Sequence, residues 1–174
     1  MGLGVMSAIL LSVVLAPTLV PGDALPKLEG HFLTGKEAEL PKAAAGRVSL
    51  LAIGFTYESR HAVEAWVKAF RADFGTHPDV GFYEIPMIGG MARLGKWFID
   101  SGMRRGTPPS DQEHVITVYG GTDAWKERLG FKQSDAAYLV LLDKNGIVRW
   151  QHSGTFDAAA YAELSGRMRA LLNR

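Results

Sequence analysis

The sequence Arg47-Val-Ser-Leu-Leu-Ala-Ile-Gly-Phe55 is a nearly continuous apolar run, and the polar loop Thr56-Tyr-Glu-Ser-Arg-His61 follows it directly. The apolar run predicts a central β-strand, because strands covered on both faces consist of nearly continuous hydrophobic residues. From residue 59 the apolar positions recur every three or four residues, which predicts an amphipathic helix over residues 59–74. A strand that delivers a polar loop to the start of a helix is a common way to build a functional site.

Strands and helices are predicted to alternate along the rest of the chain. Strands are expected at residues 80–85, 115–119, 138–142 and 147–151, and helices at about 91–103, 123–129 and 155–172, with a turn-rich connection over residues 102–110. A hairpin or extended lead-in precedes them, and Asn145-Gly146 marks the tip of a late hairpin. This order predicts an α/β fold with one mixed central sheet and helices on both faces.

Helix caps are predicted at three helix starts. Glu58 or Ser59 is expected to cap the first helix, Thr122 the short third helix, and Thr155 or Asp157 the last helix, since their oxygens can accept hydrogen bonds from free backbone N–H groups.

Composition narrows the classes of function. The chain has 174 residues, 47% of them hydrophobic, which suits one globular domain of ordinary size after a short leader. Its 19 Lys and Arg nearly balance 18 Asp and Glu, and the longest basic cluster is Arg104-Arg105, so no nucleic-acid partner is expected. The chain contains no cysteine, which excludes disulfides, thiolate metal sites and thiol catalysis.

Residues 1–22 carry no charged side chain, and residues 9–15 form a compact apolar run. This segment is typical of a secretory signal peptide over residues 1–24, ahead of a domain over residues 25–174. An uncleaved N-terminal anchor is the alternative, since the apolar span approaches the ~20 residues that cross a bilayer. The sequence has no second span of this kind. We therefore expect a soluble domain that is exported, periplasmic or anchored to the membrane by its N-terminus.

Two segments carry a resemblance to a known fold: Leu50-Leu-Ala-Ile-Gly-Phe-Thr-Tyr-Glu-Ser-Arg-His61 and Val140-Leu-Leu-Asp-Lys-Asn-Gly-Ile-Val-Arg-Trp150. They resemble the thioredoxin-like superfamily, in its peroxiredoxin and thiol-reductase branch. The first lies over that superfamily's strand, Cys-x-x-Cys motif and helix, and the second over its late hairpin. Glu58 and His61 stand where the two cysteines would be, so the resemblance implies a thioredoxin-like fold with vestigial redox-site positions.

A narrower resemblance covers roughly residues 45–172. Its motifs are His114-Val-Ile-Thr117, Trp125-Lys-Glu-Arg-Leu-Gly130, Ile147-Val-Arg-Trp150 and Ser153-Gly154. They are similar to the ATP synthase assembly factor family numbered ten, which is thioredoxin-like and helps to assemble the membrane sector of F-type ATP synthase. The resemblance implies an assembly or chaperone role with a protein partner, such as a subunit of a membrane complex.

The loop at residues 56–61 has two interpretations. Glu58 and His61 are three residues apart at a helix start, where they can form an acid–base pair or supply two metal ligands. In the preferred interpretation, Glu58 or Ser59 caps the helix and His61 is solvated. The five histidines are His31, His61, His77, His114 and His152, and no spacing among them is typical of a metal site. We therefore predict no metal, no other cofactor and no catalytic residue.

The helix predicted from Met91 to Met103 mixes apolar and basic residues. Such a helix can lie on a membrane surface or against a partner helix, and an ordinary amphipathic covering helix is the alternative. Core or half-buried positions are expected for Trp66, Trp97, Trp125 and Trp150, while an exposed tryptophan would mark a partner surface. The candidate partner-binding residues are Tyr57, Arg60, Trp97, Arg104 and Arg105.

The sequence therefore predicts a redox-inactive thioredoxin-like protein that binds protein, as an assembly or chaperone factor for a membrane complex. The competing prediction is a thiol-independent enzyme, or a redox protein that depends on a partner's cysteines, with the loop at residues 56–61 as its site. No thiol oxidoreductase or peroxidase activity is expected from the chain alone.

Overall fold

The protein is described by a computed structural model over residues 18–173. Within that range the strands are β1 (Leu28–Phe32), β2 (Glu37–Leu40), β3 (Val48–Gly54), β4 (Val80–Pro86), β5 (Ile116–Thr117), β6 (Ala137–Leu142) and β7 (Val148–Gly154). The α-helices are α1 (Arg60–Phe74), α2 (Lys96–Gly106), α3 (Thr122–Arg128) and α4 (Ala158–Leu172). Short 3-10 helices cover Lys42–Ala44, Gly90–Gly95 and Pro109–Asp111.

The core is a four-stranded mixed sheet in the order β4-β3-β6-β7. β3 runs parallel to β4, with Val48 opposite Val80, and antiparallel to β6, with Leu51 opposite Val140. Every residue of β3 is buried, as the continuous apolar run predicted. β7 pairs with β6 in the antiparallel direction.

Each face of this sheet has its own apolar cluster. Helices α1 and α4 cover one face, where Trp66 and Phe70 of α1 and Leu164 and Met168 of α4 are fully buried at helical spacing. The cluster on the opposite face includes residues of the β1–β2 hairpin and β5, together with Trp125 of α3. The sheet therefore lies between two covering layers, as the sequence predicted.

A second, antiparallel sheet forms in the order β2-β1-β5. The chain around β5 also pairs beside β4, through isolated parallel bridges from Val115 to Glu84 and from Val118 to Met87. The mixed α/β architecture is confirmed, and the early lead-in is a hairpin. The strand predicted over residues 115–119 is shorter than expected and pairs with β1 in the second sheet, so the strands form two sheets instead of one.

Residues 19–25, here called the N-terminal strap, lie against the start of β7. The backbone N–H of Val148 donates to the carbonyl oxygen of Asp23 at 2.9 Å. Leu19 and Leu25 are both buried in the cluster on the hairpin side of the sheet. The strap is therefore part of the folded body.

The leader predicted over residues 1–24 thus overlaps the folded body in its last residues. Residues 1–17, which hold its apolar run, lie outside the described residues. Within residues 18–173, no helix has the length and apolar character needed to cross a membrane.

The Asn-Gly turn closes β6 onto β7 as predicted. Oδ1 of Asp143 accepts hydrogen bonds from the backbone N–H groups of Asn145 and Ile147 at 2.9 and 3.0 Å. Its Oδ2 lies 2.7 Å from Nε and 2.6 Å from Nη2 of Arg149. Burial alone would raise the pKa of the Asp143 carboxyl, but the hydrogen bonds from Ile147, Arg149 and Asn145 outweigh it and lower that pKa.

The boundaries of α2 differ from the prediction. The chain forms a 3-10 helix over Gly90–Gly95 before α2 begins, and α2 continues to Gly106. The prediction of a turn-rich connection from residue 102 was therefore wrong for residues 102–106. Gly102 and Gly106 lie in the helical segment, where a helix tolerates glycine at a modest cost in stability.

The cap predictions were right at one helix and wrong at two. Oδ1 of Asp157 accepts a hydrogen bond from the backbone N–H of Ala160 at 2.7 Å, which confirms the cap of α4. Ser59 is at the N-cap position of α1, but its side chain makes no capping hydrogen bond because it binds Thr56 instead. Thr122 is the first residue of α3 and does not cap it.

Candidate functional site

The loop at residues 56–61 lies at the carboxyl end of β3, where the chain turns into α1. Because β4 runs parallel beside β3, the segment after β4 starts at the same edge, and the N–H of Met87 donates to the carbonyl oxygen of Gly54 at 2.8 Å. Ligands of open α/β sheets bind at this kind of edge. The predicted order of strand, polar loop and helix is confirmed.

Thr56 and Ser59 hold this loop in a tight turn. Oγ of Ser59, which is buried, donates to the carbonyl oxygen of Thr56 at 2.7 Å. Oγ1 of Thr56 donates to the carbonyl oxygen of Ser134 at 2.5 Å, which ties the loop to the segment before β6. A Cβ atom on Gly54 would lie only 2.5 Å from Oγ of Ser59, so the close approach of strand and helix start requires glycine there.

The structure does not pair Glu58 with His61. A hydrogen bond from its own backbone N–H is the main cause that lowers the pKa of the exposed Glu58 carboxyl. Nδ1 of His61 instead lies 3.9 Å from Oε2 of Glu64, one turn further along the exposed face of α1. Across residues 18–173, no group of three or more His, Asp or Glu side chains is placed to hold a metal ion. The loop therefore shows no acid–base dyad made of its two vestigial positions.

Tyr57 and Arg60 form the outward face of the loop. The guanidinium carbon of Arg60 lies 3.7 Å from the centre of the Tyr57 ring, a stacked cation–π contact, and Tyr57 is 76% exposed. Nη1 of Arg60 is buried and has no hydrogen-bond partner among residues 18–173. The first turn of α1 has no acidic residue, so the positive charge of Arg60 lies beside an aromatic ring at this helix start, and Glu58 supplies a negative charge just before it.

A second exposed surface, here called the α2 surface, comprises Met91, Leu94, Trp97 and Phe98. These side chains are 80%, 74%, 72% and 74% exposed, and α2 contains no buried residue. The prediction that Trp97 is core or half-buried was wrong, whereas the other three tryptophans are buried. An ordinary covering helix, the alternative favoured from sequence, would have buried its apolar side chains.

The inner side of α2 is held to the body by polar contacts. Nζ of Lys96 lies 2.7 Å from Oδ2 of Asp100, and the hydroxyl of Tyr119 donates to Oδ1 of Asp100 at 2.6 Å. Burial, together with the bond to Asp100, raises the pKa of Tyr119. Nε of Arg104 donates to the carbonyl oxygen of Leu33 at 2.7 Å, so Arg104 also serves the fold. The spacing of apolar residues in the sequence located the apolar face of this helix. It gave no sign that the ion pair of Lys96 and Asp100 would face the body of the protein.

A groove of about 760 Å³ opens between the β1–β2 hairpin and Tyr119. The carboxylates of Glu29 and Glu39 in its lining are bridged by Nζ of Lys27 at 2.6 and 3.2 Å. Sequence reasoning missed this groove because its lining comes from segments that are far apart in the chain.

Comparison with known proteins decides the family, since the ATP10 protein family matches residues 23–171. The chain belongs to the ATP10 protein family. The narrower resemblance drawn from sequence is thereby confirmed, and the match covers almost all of the described residues. No curated protein matches the chain.

Three solved structures are similar to this ATP10-family chain. A protein from Chlorobium tepidum, assigned as a thiol:disulfide interchange protein DsbE, is 20% identical over 89% of this chain and 99% of its own, with a TM-score of 0.59. BsSco, a member of the Sco family of cytochrome c oxidase assembly proteins, is 14% identical over 88% and 96%, with a TM-score of 0.59. A peroxiredoxin-like protein from Aquifex aeolicus is 16% identical over 90% and 90%, with a TM-score of 0.57.

These likenesses confirm the thioredoxin-like fold, and their low identity shows the fold alone. The names of the first two refer to a thiol:disulfide interchange protein and to a family of assembly proteins. This chain has no cysteine, so it keeps the fold without the thiols on which interchange depends.

Proposed function

We propose that this ATP10-family chain is a thiol-free assembly factor that binds a protein client noncovalently. The observation that carries the proposal is the loop at residues 56–61, which keeps the place of a thioredoxin-like redox site but exposes Tyr57, with the half-buried Arg60 stacked on its ring. A thiol site holds its protein substrate through a mixed disulfide. Without cysteine, only the noncovalent contacts of that site remain.

The chemistry of the loop suits a client segment with a carboxylate or an aromatic side chain. In redox sites of this kind the helix start stabilises a thiolate. Here Glu58, whose pKa is lowered, supplies a negative charge of the loop's own, while Arg60 supplies a positive charge beside the Tyr57 ring. A client carboxylate can pair with the charge of Arg60, and an aromatic ring can stack on the exposed ring of Tyr57.

We infer that the client is a subunit of a membrane complex, and that the membrane sector of F-type ATP synthase is the candidate. ATP10 membership supports an assembly role. The Sco family, named for cytochrome c oxidase assembly, offers a parallel in a similar fold. The apolar, uncharged leader supports export with the domain anchored to a membrane by its N-terminus.

The N-terminal strap supports a retained leader, or one cut before residue 19, over cleavage after residue 24. Cleavage at residue 24 would remove Leu19 from the core and Asp23 from its hydrogen bond to Val148. We expect the mass of the mature chain, purified from its native host, to include the strap. A mature chain that begins at Leu25 would contradict this inference.

The client proposal is tested in the native host by replacing the wild-type chain with a Tyr57→Ala/Arg60→Ala variant. We expect the content of assembled F-type ATP synthase on native gels to fall severalfold, with an equal loss of the membrane-sector subunit that co-purifies with the chain. The variant should accumulate to the wild-type level, because Tyr57 is exposed and its contact with Arg60 contributes only about 0.5–1 kcal/mol.

The matched control is Glu58→Gln/His61→Ala in the same loop. A binding surface made by Tyr57 and Arg60 tolerates this change, so assembly should stay at the wild-type level. Loss of assembly in the control would favour the competing enzyme interpretation. Insulin reduction or peroxidase activity in the purified chain would contradict the thiol-free role, and normal assembly in the first variant would show that the client binds elsewhere.

A further inference from the structure

The α2 surface is a large apolar area without a covering element within residues 18–173. Its four side chains are each more than 70% exposed, which leaves on the order of 500 Å² of mainly apolar surface in water. Patches of this size on soluble proteins mark contacts with a partner or a membrane.

The four side chains lie on one side of the chain. Met91 and Leu94 are three residues apart in a 3-10 helix, where such residues lie in line. Trp97 and Phe98 follow Leu94 by three and four residues, and their rings are in contact edge to face at 4.9 Å. The exposed apolar side chains therefore follow one another along residues 91–98, and their aromatic end lies at the start of α2.

Positive charge is concentrated in the same segment. Residues 90–106 contain four cations and one anion, a net charge of +3 in a chain of net charge +1, so the remaining residues carry −2. The cations are Arg93, Lys96, Arg104 and Arg105, and Lys96 is neutralised by Asp100. Arg105 is exposed and follows Phe98 by seven residues, which places it about 10 Å further along the same face of α2.

We propose that the α2 surface binds the surface of a membrane that contains anionic lipids. Exposed Trp, Phe and Leu beside Arg are typical of helices that lie in the plane of the lipid interface. Aromatic residues, Met and Arg are also enriched at protein–protein interfaces, so the net charge of the segment, rather than its residue types, favours an anionic lipid surface. Anionic headgroups complement the net charge of +3. This inference uses residues other than those of the proposed client site and goes beyond it.

The first measurement compares binding of the full chain to vesicles of phosphatidylcholine and to vesicles in which one quarter is phosphatidylglycerol. The apolar leader cannot produce a difference through charged side chains, because residues 1–22 contain none. We expect the chain to bind the anionic vesicles at least tenfold more tightly than the neutral ones in low salt, and this preference to shrink as salt is raised.

Variants then locate the contact. Arg105→Ala should weaken binding to anionic vesicles about fivefold, and Trp97→Ala about tenfold. Two controls remove comparable exposed side chains elsewhere. Lys68→Ala on α1 and Tyr57→Ala in the loop should each bind within about twofold of the wild type, since neither residue belongs to the α2 surface.

Tryptophan fluorescence gives a direct test of contact. Trp66, Trp125 and Trp150 are buried, so lipids with brominated acyl chains should quench only Trp97. The wild type should be quenched by such vesicles. Trp97→Phe should keep its binding within about twofold but lose the quenching, because phenylalanine retains most of the apolar area. Tethering through the leader alone would not bring a bromine atom to Trp97.

Equal binding of the wild type to both kinds of vesicle would overturn the proposal. So would unchanged anionic binding in Arg105→Ala, or an absence of quenching by brominated lipids. If Trp97→Ala reduced co-purification of the membrane-sector subunit without any lipid effect, the α2 surface would be a protein site and the membrane proposal wrong. Failure of the client proposal is read separately from the Tyr57→Ala/Arg60→Ala variant, which leaves the α2 surface intact.

Discussion

Gly54→Ala is the sharpest test of how the loop at residues 56–61 is held. The added Cβ would lie 2.5 Å from Oγ of Ser59 and 3.4 Å from Cγ2 of Val63. Oγ of Ser59 cannot turn away without losing its hydrogen bond to the carbonyl oxygen of Thr56. We expect overpacking to lower the free energy of unfolding by about 2 kcal/mol. For a domain of this size, that is a fall in Tm of roughly 4–8 °C.

A second substitution supplies the decisive comparison. Ser59→Ala alone removes the hydrogen bond to Thr56 and should cost about 1 kcal/mol. In the double variant the new methyl group on residue 54 no longer meets an oxygen, and the Cβ of residue 59 lies at an ordinary 3.5 Å. The free energy of unfolding of the double variant should therefore be no lower than that of Gly54→Ala. Its loss is then smaller than the sum of the two single losses by a coupling energy of about 1 kcal/mol.

The assay is equilibrium unfolding in urea, followed by tryptophan fluorescence, for the wild type, both single variants and the double variant. Gly166→Ala is the matched control, because a Cβ there meets no atom within 4 Å and the residue lies inside α4. It should raise stability by about 0.5–1 kcal/mol. Strictly additive losses in the double variant, or a loss below about 0.5 kcal/mol for Gly54→Ala, would refute the contact between strand end and helix start.

Other variants test the rest of the fold by the same unfolding assay. Asp143→Ala should cost about 3 kcal/mol, since two backbone N–H groups and a guanidinium lose their acceptor. The pKa of Asp143 is lowered in the folded state, so its ionised carboxylate stabilises the fold fully above the unfolded pKa of about 3.9. This stabilisation is lost as pH falls through the lower folded pKa. The difference in free energy of unfolding between the wild type and Asp143→Asn should therefore narrow below about pH 4. Trp66→Ala should cost about 3–5 kcal/mol and Trp97→Ala less than about 0.5 kcal/mol, and equal losses would contradict the exposure of α2. Thr56→Val should cost about 1 kcal/mol and speed hydrogen exchange around Ser134, whereas unchanged exchange would show that their bond does not hold that segment.

Much of the fold is readable from the sequence because its signals are local. The continuous apolar run of β3 and the change to helical spacing at residue 59 each depend on residues within one element. The late turn is equally local, since Asp143, Asn145 and Gly146 adopt it through hydrogen bonds inside the turn. The missing thiols at Glu58 and His61 are evident from composition alone.

The α2 surface was not predictable in the same way. Periodicity shows which residues share a face, but only distant partners decide which face is buried. Here Tyr119, nineteen residues after Asp100, holds the polar side of α2 against the body and leaves Trp97 outside. The contact between Gly54 and Ser59 likewise depends on atomic distances between two elements.

The N-terminal strap shows a different limit. Apolar residues before Leu25 satisfy the composition of a leader and the needs of a buried core equally well. Leu19 finds its place beside α3, where its N–H donates to the carbonyl oxygen of Arg128 at 2.9 Å, and a pattern within the leader carries no information about that partner.

The N-terminal strap also covers one end of an edge strand of the sheet. β7 is the last strand of the central sheet, and an unpaired outer strand offers its N–H and C=O groups to any other extended chain. Asp23 occupies the N–H of Val148 at the start of that strand, and Leu25 donates to the carbonyl oxygen of Gly146 at 3.0 Å in the turn before it. A chain that begins at Leu25 would lose the hydrogen bond from Val148 to Asp23 and would expose the apolar surface that Leu19 covers. We therefore expect the shortened chain to keep its fold but to self-associate through the start of β7.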